Sequence, residues 1–288
     1  MTVPTVSLTE HFSHLAAGYD VVLSDVWGVV HNGVASWPQA CDALSRFRAG
    51  GGTVVLISNA PRPGKIIRGQ LDRLKVPHSA YDDIITSGNV TQIAIAERPG
   101  QPVFHLGPER DISIFDGLDA PVVPLADAAY VVCSGLFKDD ETPDDYRAIL
   151  AAMRERGLFM VCANPDAVVE QGDWLMYCAG ALADVYAELG GEVLYAGKPH
   201  QPIYEQALAA AKAARGAETP LSRVLAIGDS VRTDLRGAND LGINCLFVTS
   251  GIHAEELGDR EKPDMQTLAR IFADAGLHPK AVTRRLAW

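Results

Sequence analysis

The chain has 288 residues, with 36 acidic and 25 basic side chains and a formal net charge of −11. That balance argues against nucleic acid or an anionic membrane surface as a partner, since both need a basic face. At 48% hydrophobic and 21% charged, the composition is that of a globular chain, long enough for two domains or for one domain with a large insertion.

No apolar run approaches the roughly 20 residues of a membrane helix. The N-terminal stretch up to Leu15 has neither a basic nor an apolar region of the secretory kind, so no leader is expected. Cys41, Cys133, Cys162, Cys178 and Cys245 are scattered and form no CxxC pair. Buried, reduced thiols in a cytoplasmic protein are the expectation.

In chain order, Thr9 to Ala17 reads as a short amphipathic helix. His11 and His14, three apart, fit a solvated helix face better than a metal site. Val21-Val22-Leu23-Ser24-Asp25 is an apolar, β-branched run that ends in a carboxylate and is followed by a turn containing Gly28. A polar loop at His31, Asn32 and Gly33 leads to a helix over Pro38 to Ala49, with proline at its start. Gly50, Gly51 and Gly52 end that helix, and they match no phosphate-binding glycine pattern. A strand from Thr53 to Ile57 runs into Ser58-Asn59-Ala60-Pro61-Arg62, then a helix from Gly64 to Leu74 and a strand at Ile84 to Thr86.

The middle, residues 88–195, carries its own signals. Strands are expected at Val103 to Leu106, Tyr130 to Cys133 and Phe159 to Ala163. Helices are expected at Asp144 to Arg156 and Ala181 to Leu189, enough for a small α/β domain. The last third resumes with a helix at Ile203 to Ala214 and a strand at Val224 to Ile227 ending in Gly228-Asp229-Ser230. A helix at Thr233 to Leu241 and a strand at Cys245 to Val248 follow, the latter ending in Thr249-Ser250-Gly251. This alternation implies an α/β fold with a parallel sheet and helices on both faces.

Three of these strands end in polar groups: Asp25, Ser58-Asn59 and Asp229. In a parallel sheet such ends converge on one edge. Two carboxylates brought together repel unless something positive lies between them. Mg2+ fits, because it prefers carboxylate oxygen and keeps waters that a phosphate oxygen can replace. Ser58 and Lys198, the latter in Gly197-Lys198-Pro199-His200, could hold the other phosphate oxygens. Asp25 would then attack phosphorus. Against this, an aspartate after a strand is often only a cap or a turn residue. Asp234 is placed either to orient the metal site or to favour the start of the next helix.

The full set resembles the haloacid dehalogenase-like (HAD) superfamily, class IIA, the group of p-nitrophenylphosphatase-like and N-acetylglucosamine-operon nucleotide phosphatases. The first motif matches at Asp25 and Gly28, the second at Ser58-Asn59, the third at Gly197-Lys198-Pro199, and the fourth at Gly228-Asp229-Ser230 with Asp234. Asn164-Pro165-Asp166, with Gly180-Ala181-Leu182, resembles the cap of that class. The resemblance implies a HAD-like Rossmannoid core at 1–87 and 196–288, and an inserted α/β cap domain at 88–195. It makes Asp25 the nucleophile. Mg2+ would be bound by Asp25, the main-chain carbonyl of Trp27 and Asp229, with Asp234 beside them. Ser58, Asn59 and Lys198 would bind the phosphoryl group, and Asn164 and Asp166 are substrate candidates from the cap, although Asn-Pro-Asp is also a good turn. A small phosphorylated metabolite is the implied partner; the oligomeric state is left open, with a homodimer as one option.

Trp27 departs from the family pattern, which places a second aspartate there to protonate the leaving oxygen and then activate water. An indole does neither. Losing a positioned general acid/base costs about 10²–10⁴ in rate. His31 is close in sequence and titrates in the right range to substitute. The leading expectation is a Mg2+-dependent phosphatase of small phosphorylated metabolites, such as sugar phosphates or nucleotides, with two options left open by Trp27: slow turnover, or a substrate whose leaving group is already acidic, such as an acyl or aryl phosphate. The alternative is a binding or regulatory protein that retains the metal-phosphate site. A receiver domain is set aside because Lys198 lies behind an inserted domain, and a dehalogenase because it needs no metal.

Overall fold

The computed structural model describes residues 8–171, 174–259 and 261–288; the start of the N-terminal stretch read above as no leader lies outside them. Strands run at Val21–Asp25 (β1), Thr53–Ser58 (β2), Asp83–Thr86 (β3), Val103–Leu106 (β4), Tyr130–Cys133 (β5), Phe159–Cys162 (β6), Val168–Gln171 (β7), Trp174–Tyr177 (β8), Val193–Tyr195 (β9), Val224–Gly228 (β10), Asn244–Val248 (β11) and Ala281–Thr283 (β12). The chain divides into two compact units. The first comprises Met1–Ser58, Arg68–Ile85 and Tyr204–Trp288, and the second Asn59–Ile67 and Thr86–Ile203.

The first unit is built on a six-stranded sheet in the order β12-β11-β10-β1-β2-β3. β1 is central, and it pairs in parallel with β2 and with β10. Its residues are all buried, which suits a β-branched run covered on both faces. The helix Pro38–Ala49 packs Ala40, Cys41, Ala43, Leu44 and Phe47 inward. Those positions follow the 3–4 residue spacing of one helical stripe.

The second unit holds a four-stranded parallel sheet, β4-β5-β6-β9, and an antiparallel hairpin, β7-β8. Alternation along its strands sorts two cores. Val131, Cys133, Met160 and Cys162 pack with Leu150 and Leu182 of the helices Arg147–Glu155 and Ala179–Glu188. Tyr130, Val132 and Val161 pack with Ala94 and Ile95 of the helix Ser87–Ala96. Side chains two apart share a face, so this small sheet carries helices on both sides. All five cysteines are buried and unbridged. Among the described residues no helix is long and apolar enough to cross a membrane.

Most expected elements form, with shifted ends. The expected Thr9–Ala17 helix is confined to Ser13–Ala16. The helix expected from Asp144 opens as a 3₁₀ turn at Pro143–Tyr146, where Thr142 and Asp145 form a capping box. The helix expected from Thr233 is preceded by a π turn over Val231–Leu235. There the N–H of Leu235 reaches the Ser230 carbonyl, five residues back. The Asp234 carboxylate accepts the N–H groups of Asp229 and Ser230, which draws the turn open.

Candidate active site

The sheet register places the first cluster. Asp25 lies level with Ile57 of β2, so Ser58 is one residue further along. Ser24 lies level with Ile227 of β10, so Gly228 comes opposite Asp25 and Asp229 follows it. Chain direction thus delivers Asp25, Ser58 and Asp229 to the carboxyl edge of three adjacent parallel strands, where such sheets bind ligands.

Asp25, Asp229 and Asp234 each offer a carboxylate oxygen, all within 4.8 Å of one another. They are only 7%, 5% and 3% exposed. Two unit charges at that separation repel by roughly 3 kcal/mol at an effective dielectric of 20. Main-chain donors offset part of this. Ile252 N–H donates to Asp229 Oδ2 at 2.7 Å, and Asp234 Oδ2 accepts the N–H groups of Asp229 and Ser230 at 3.2 and 3.1 Å. Those bonds aim the carboxylates, and a cation held among them would offset the rest of the repulsion.

Glycine backbone walls the cluster. Gly28 adopts φ +86°, a region costly for other residues. A Cβ there would stand 2.0 Å from Asp229 Oδ2, and a Cβ at Gly251 would stand 1.8 Å from the same oxygen. Both glycines are therefore required for Asp229 to sit where it does. Ser250, whose buried hydroxyl has no protein hydrogen-bond partner, lines with Gly28 a cavity of about 330 Å³. The oxygen-only donor set of three carboxylates fits a hard divalent ion that keeps part of its water shell.

Trp27 is held by its own loop. Its indole lies edge-on to the His31 ring, 5.2 Å between centroids, and a Cβ at Gly33 would come within 2.4 Å of it. His31 is 2% exposed. Its Nδ1 accepts the Gly33 N–H at 2.9 Å, which leaves the proton of a neutral ring on Nε2. Burial pushes its pKa down to about 4. His31 is therefore a neutral acceptor at pH 7 within its own loop.

The remaining sequence candidates lie in the second unit, where the structure gathers them around Asn59. The Asn59 amide donates to Asp166 Oδ1 at 2.9 Å and to the Lys198 carbonyl at 3.1 Å, while its Oδ1 accepts the Lys198 N–H at 2.7 Å. Both main-chain groups of Lys198 are thus fixed by one side chain 139 residues away. Asn164 shapes the adjoining turn, its Oδ1 accepting the Asp166 N–H. A Cβ at Gly197 would stand 2.3 Å from Asn59 Oδ1, so the glycine before Lys198 serves this lock. Asn59→Ala removes three hydrogen bonds, among them the one that the Lys198 N–H donates to Asn59 Oδ1. We expect it to cost about 2–4 kcal/mol, read as a lower urea midpoint; a loss under about 0.5 kcal/mol would show that the lock is dispensable.

Sequence reasoning missed Gly28 and Gly251 as walls, Ile252 N–H as the donor to Asp229, and Asn59 as the clamp on Lys198. Gly251 follows Thr249-Ser250 at the end of β11, a position that alone hinted at the edge.

The family model described as haloacid dehalogenase-like hydrolase matches residues 22–120, and that described as HAD-hydrolase-like matches residues 195–282. A solved hydrolase of the haloacid dehalogenase-like family from Brucella suis is 46% identical, covering 97% of this chain and 100% of that one, with a TM-score of 0.87. The 5'-nucleotidase YutF of Bacillus subtilis is 24% identical over 251 residues, 85% of this chain and 93% of that protein. A glycerol phosphate phosphatase of Mycobacterium tuberculosis, solved in complex with magnesium, shares the fold at a TM-score of 0.63 and 24% identity, over 85% of this chain and 70% of that one. With its motif residues at the carboxyl edge of such a sheet, the chain belongs to the haloacid dehalogenase-like hydrolase family.

Proposed function

We propose that this protein is a Mg2+-dependent phosphatase of small phosphorylated metabolites that works through an aspartyl phosphate on Asp25. The observation that carries this reading is the buried triad of Asp25, Asp229 and Asp234 at the ends of adjacent parallel strands. The relatives named as a 5'-nucleotidase and a glycerol phosphate phosphatase support a phosphoric monoester hydrolase and a small substrate.

In this reading the Asp25 carboxylate attacks phosphorus and carries the phosphoryl group. Ser58 donates a hydrogen bond to a phosphoryl oxygen and Lys198 supplies positive charge. Asn59 acts on Lys198 through its main chain, and Asp234 holds the loop of Asp229. Asp25, Asp229 and the Trp27 carbonyl would hold Mg2+, which when bound neutralises charge on the phosphoryl group. Residues 88–195 are the cap, whose Asn164 and Asp166 are candidates for the leaving-group side.

The test is phosphate release from a panel of nucleotides, sugar phosphates and glycerol phosphate, with Mg2+ and with chelator. Release that requires the metal supports the phosphatase. Trp27 favours a second reading, a phosphate-binding protein with residual turnover. It would be supported by ligand binding that survives while the whole panel stays at background.

A further inference from the structure

We propose that the cavity of about 330 Å³ beside Gly28 binds a small monocarboxylate with an apolar body. The site lies within the first unit and does not depend on Asp25 as nucleophile. Val29, Trp37, Val248 and Leu286 supply apolar wall. Small-ligand sites have this make-up, a mostly apolar lining with a few polar groups that fix orientation. At the roughly 30 Å³ that a water takes in the liquid, the space holds a body of about ten non-hydrogen atoms.

Three polar features meet there. The first is the start of the helix Pro38–Ala49. Trp37 stands at its N-cap, no side chain caps it, and its first turn holds no acid. Pro38 has no N–H, and the Cys41 N–H closes the first turn onto the Trp37 carbonyl at 3.1 Å. The N–H groups of Gln39 and Ala40 are left at the helix mouth, where no intrahelical acceptor exists. Both residues line the cavity, and such a helix end favours an anion. The second feature is Ser250, which lines the cavity, is 4% exposed, and has a hydroxyl with no protein partner. A buried hydroxyl left unpaired is costly, and a ligand oxygen in the cavity removes that cost.

The third feature is Arg285, which lines the cavity and reaches Glu261 Oε1 at 3.1 Å. Arg284 lies 3.6 Å from Glu261 Oε2, so the trio carries one net positive charge. A monoanion balances it, whereas a phosphate dianion overshoots. Gly28 adjoins the metal cluster as well as the cavity, since a Cβ on it would stand 2.0 Å from Asp229 Oδ2. Asp25, Asp229 and Asp234 do not themselves line the cavity. Their negative charge reaches it nonetheless, which further favours one ligand charge over two. Mg2+ on that cluster should therefore tighten the binding of the anion.

Benzoate is the probe, titrated by calorimetry into the full-length protein with Mg2+ and with chelator. Benzyl alcohol keeps the apolar body without the charge, and acetate keeps the charge without the body. We expect benzoate to bind at least about tenfold more tightly than either, and Mg2+ to tighten it about two- to fourfold at low salt. Ser250→Ala should weaken it about tenfold, and Arg285→Met about two- to fivefold. The arginine variant carries the test if the serine variant fails to fold. Crystals soaked with benzoate should show its carboxylate at the helix start and Ser250. Benzoate binding that both substitutions leave unchanged would place the carboxylate elsewhere, on the metal if it also needs Mg2+, and would overturn the proposal. Equal affinity for benzyl alcohol would overturn the anion, and a cavity that holds only water in the soaked crystals would overturn the site.

Discussion

Replacing Asp25 by asparagine is expected to lower phosphoryl transfer by about 10⁴–10⁶-fold, the range seen when a nucleophile is removed from a preformed site. The amide has the shape of the carboxylate but not its charge, and its oxygen is a poor nucleophile. The fold should tolerate it. Asp25 is one of three buried carboxylates within 4.8 Å of one another, so one fewer charge relieves repulsion when metal is absent. The chelated variant should melt at or above the chelated wild type, which separates lost chemistry from lost structure. Phosphate release within tenfold of wild type would remove Asp25 from the mechanism.

The second large effect concerns Asp229. At a Mg2+ concentration 100 times Kd, one bound ion should stabilise the wild type by about 2.7 kcal/mol. Asp229→Ala should abolish that gain and, with it, turnover. Its effect on the metal-free protein is a balance. The Ile252 N–H loses its acceptor, which costs about 1–3 kcal/mol. Removing one carboxylate from the triad returns repulsion of similar size. The metal-free melting temperature should therefore change little while the response to Mg2+ disappears, read by calorimetry at fixed ionic strength. A variant that still gains stability from Mg2+ would place the ion elsewhere.

The fold was legible where local signals agree with tertiary demand. The run Val21 to Asp25 could be read as a buried strand because five buried positions in a row need five residues suited to burial. The strand at Tyr130 appears with the expected ends for the same reason, and the strand at Val103 does so with only its two end residues buried. The helix Ser87–Ala96 was not read. Its start is a capping box in which Asn89, rather than glutamate or glutamine, answers Thr86. The π turn at Val231–Leu235 was not legible either, because its cause is a carboxylate folded back onto the strand end before it.

The site divides along the same line. Asp25, Ser58 and Asp229 could be found because strand ends in a parallel sheet share an edge and polar residues there are conspicuous. Gly28 and Gly251 could not, because their role is to lack a Cβ beside a side chain some 200 and 22 positions away along the chain. Asn59 reads in sequence as a phosphate-binding residue beside Ser58, whereas its amide is committed to Lys198 and Asp166. His31 has suitable spacing, but burial and the Gly33 N–H make it a neutral acceptor.

The shared ion is tested most directly by crystals grown with Mn2+ in place of Mg2+ and measured at the manganese absorption edge. The account predicts one anomalous peak within coordination distance of carboxylate oxygens from both Asp25 and Asp229, lost in Asp229→Ala. A protein that hydrolyses phosphate esters with Mn2+ bound but shows its peak away from that pair would contradict it.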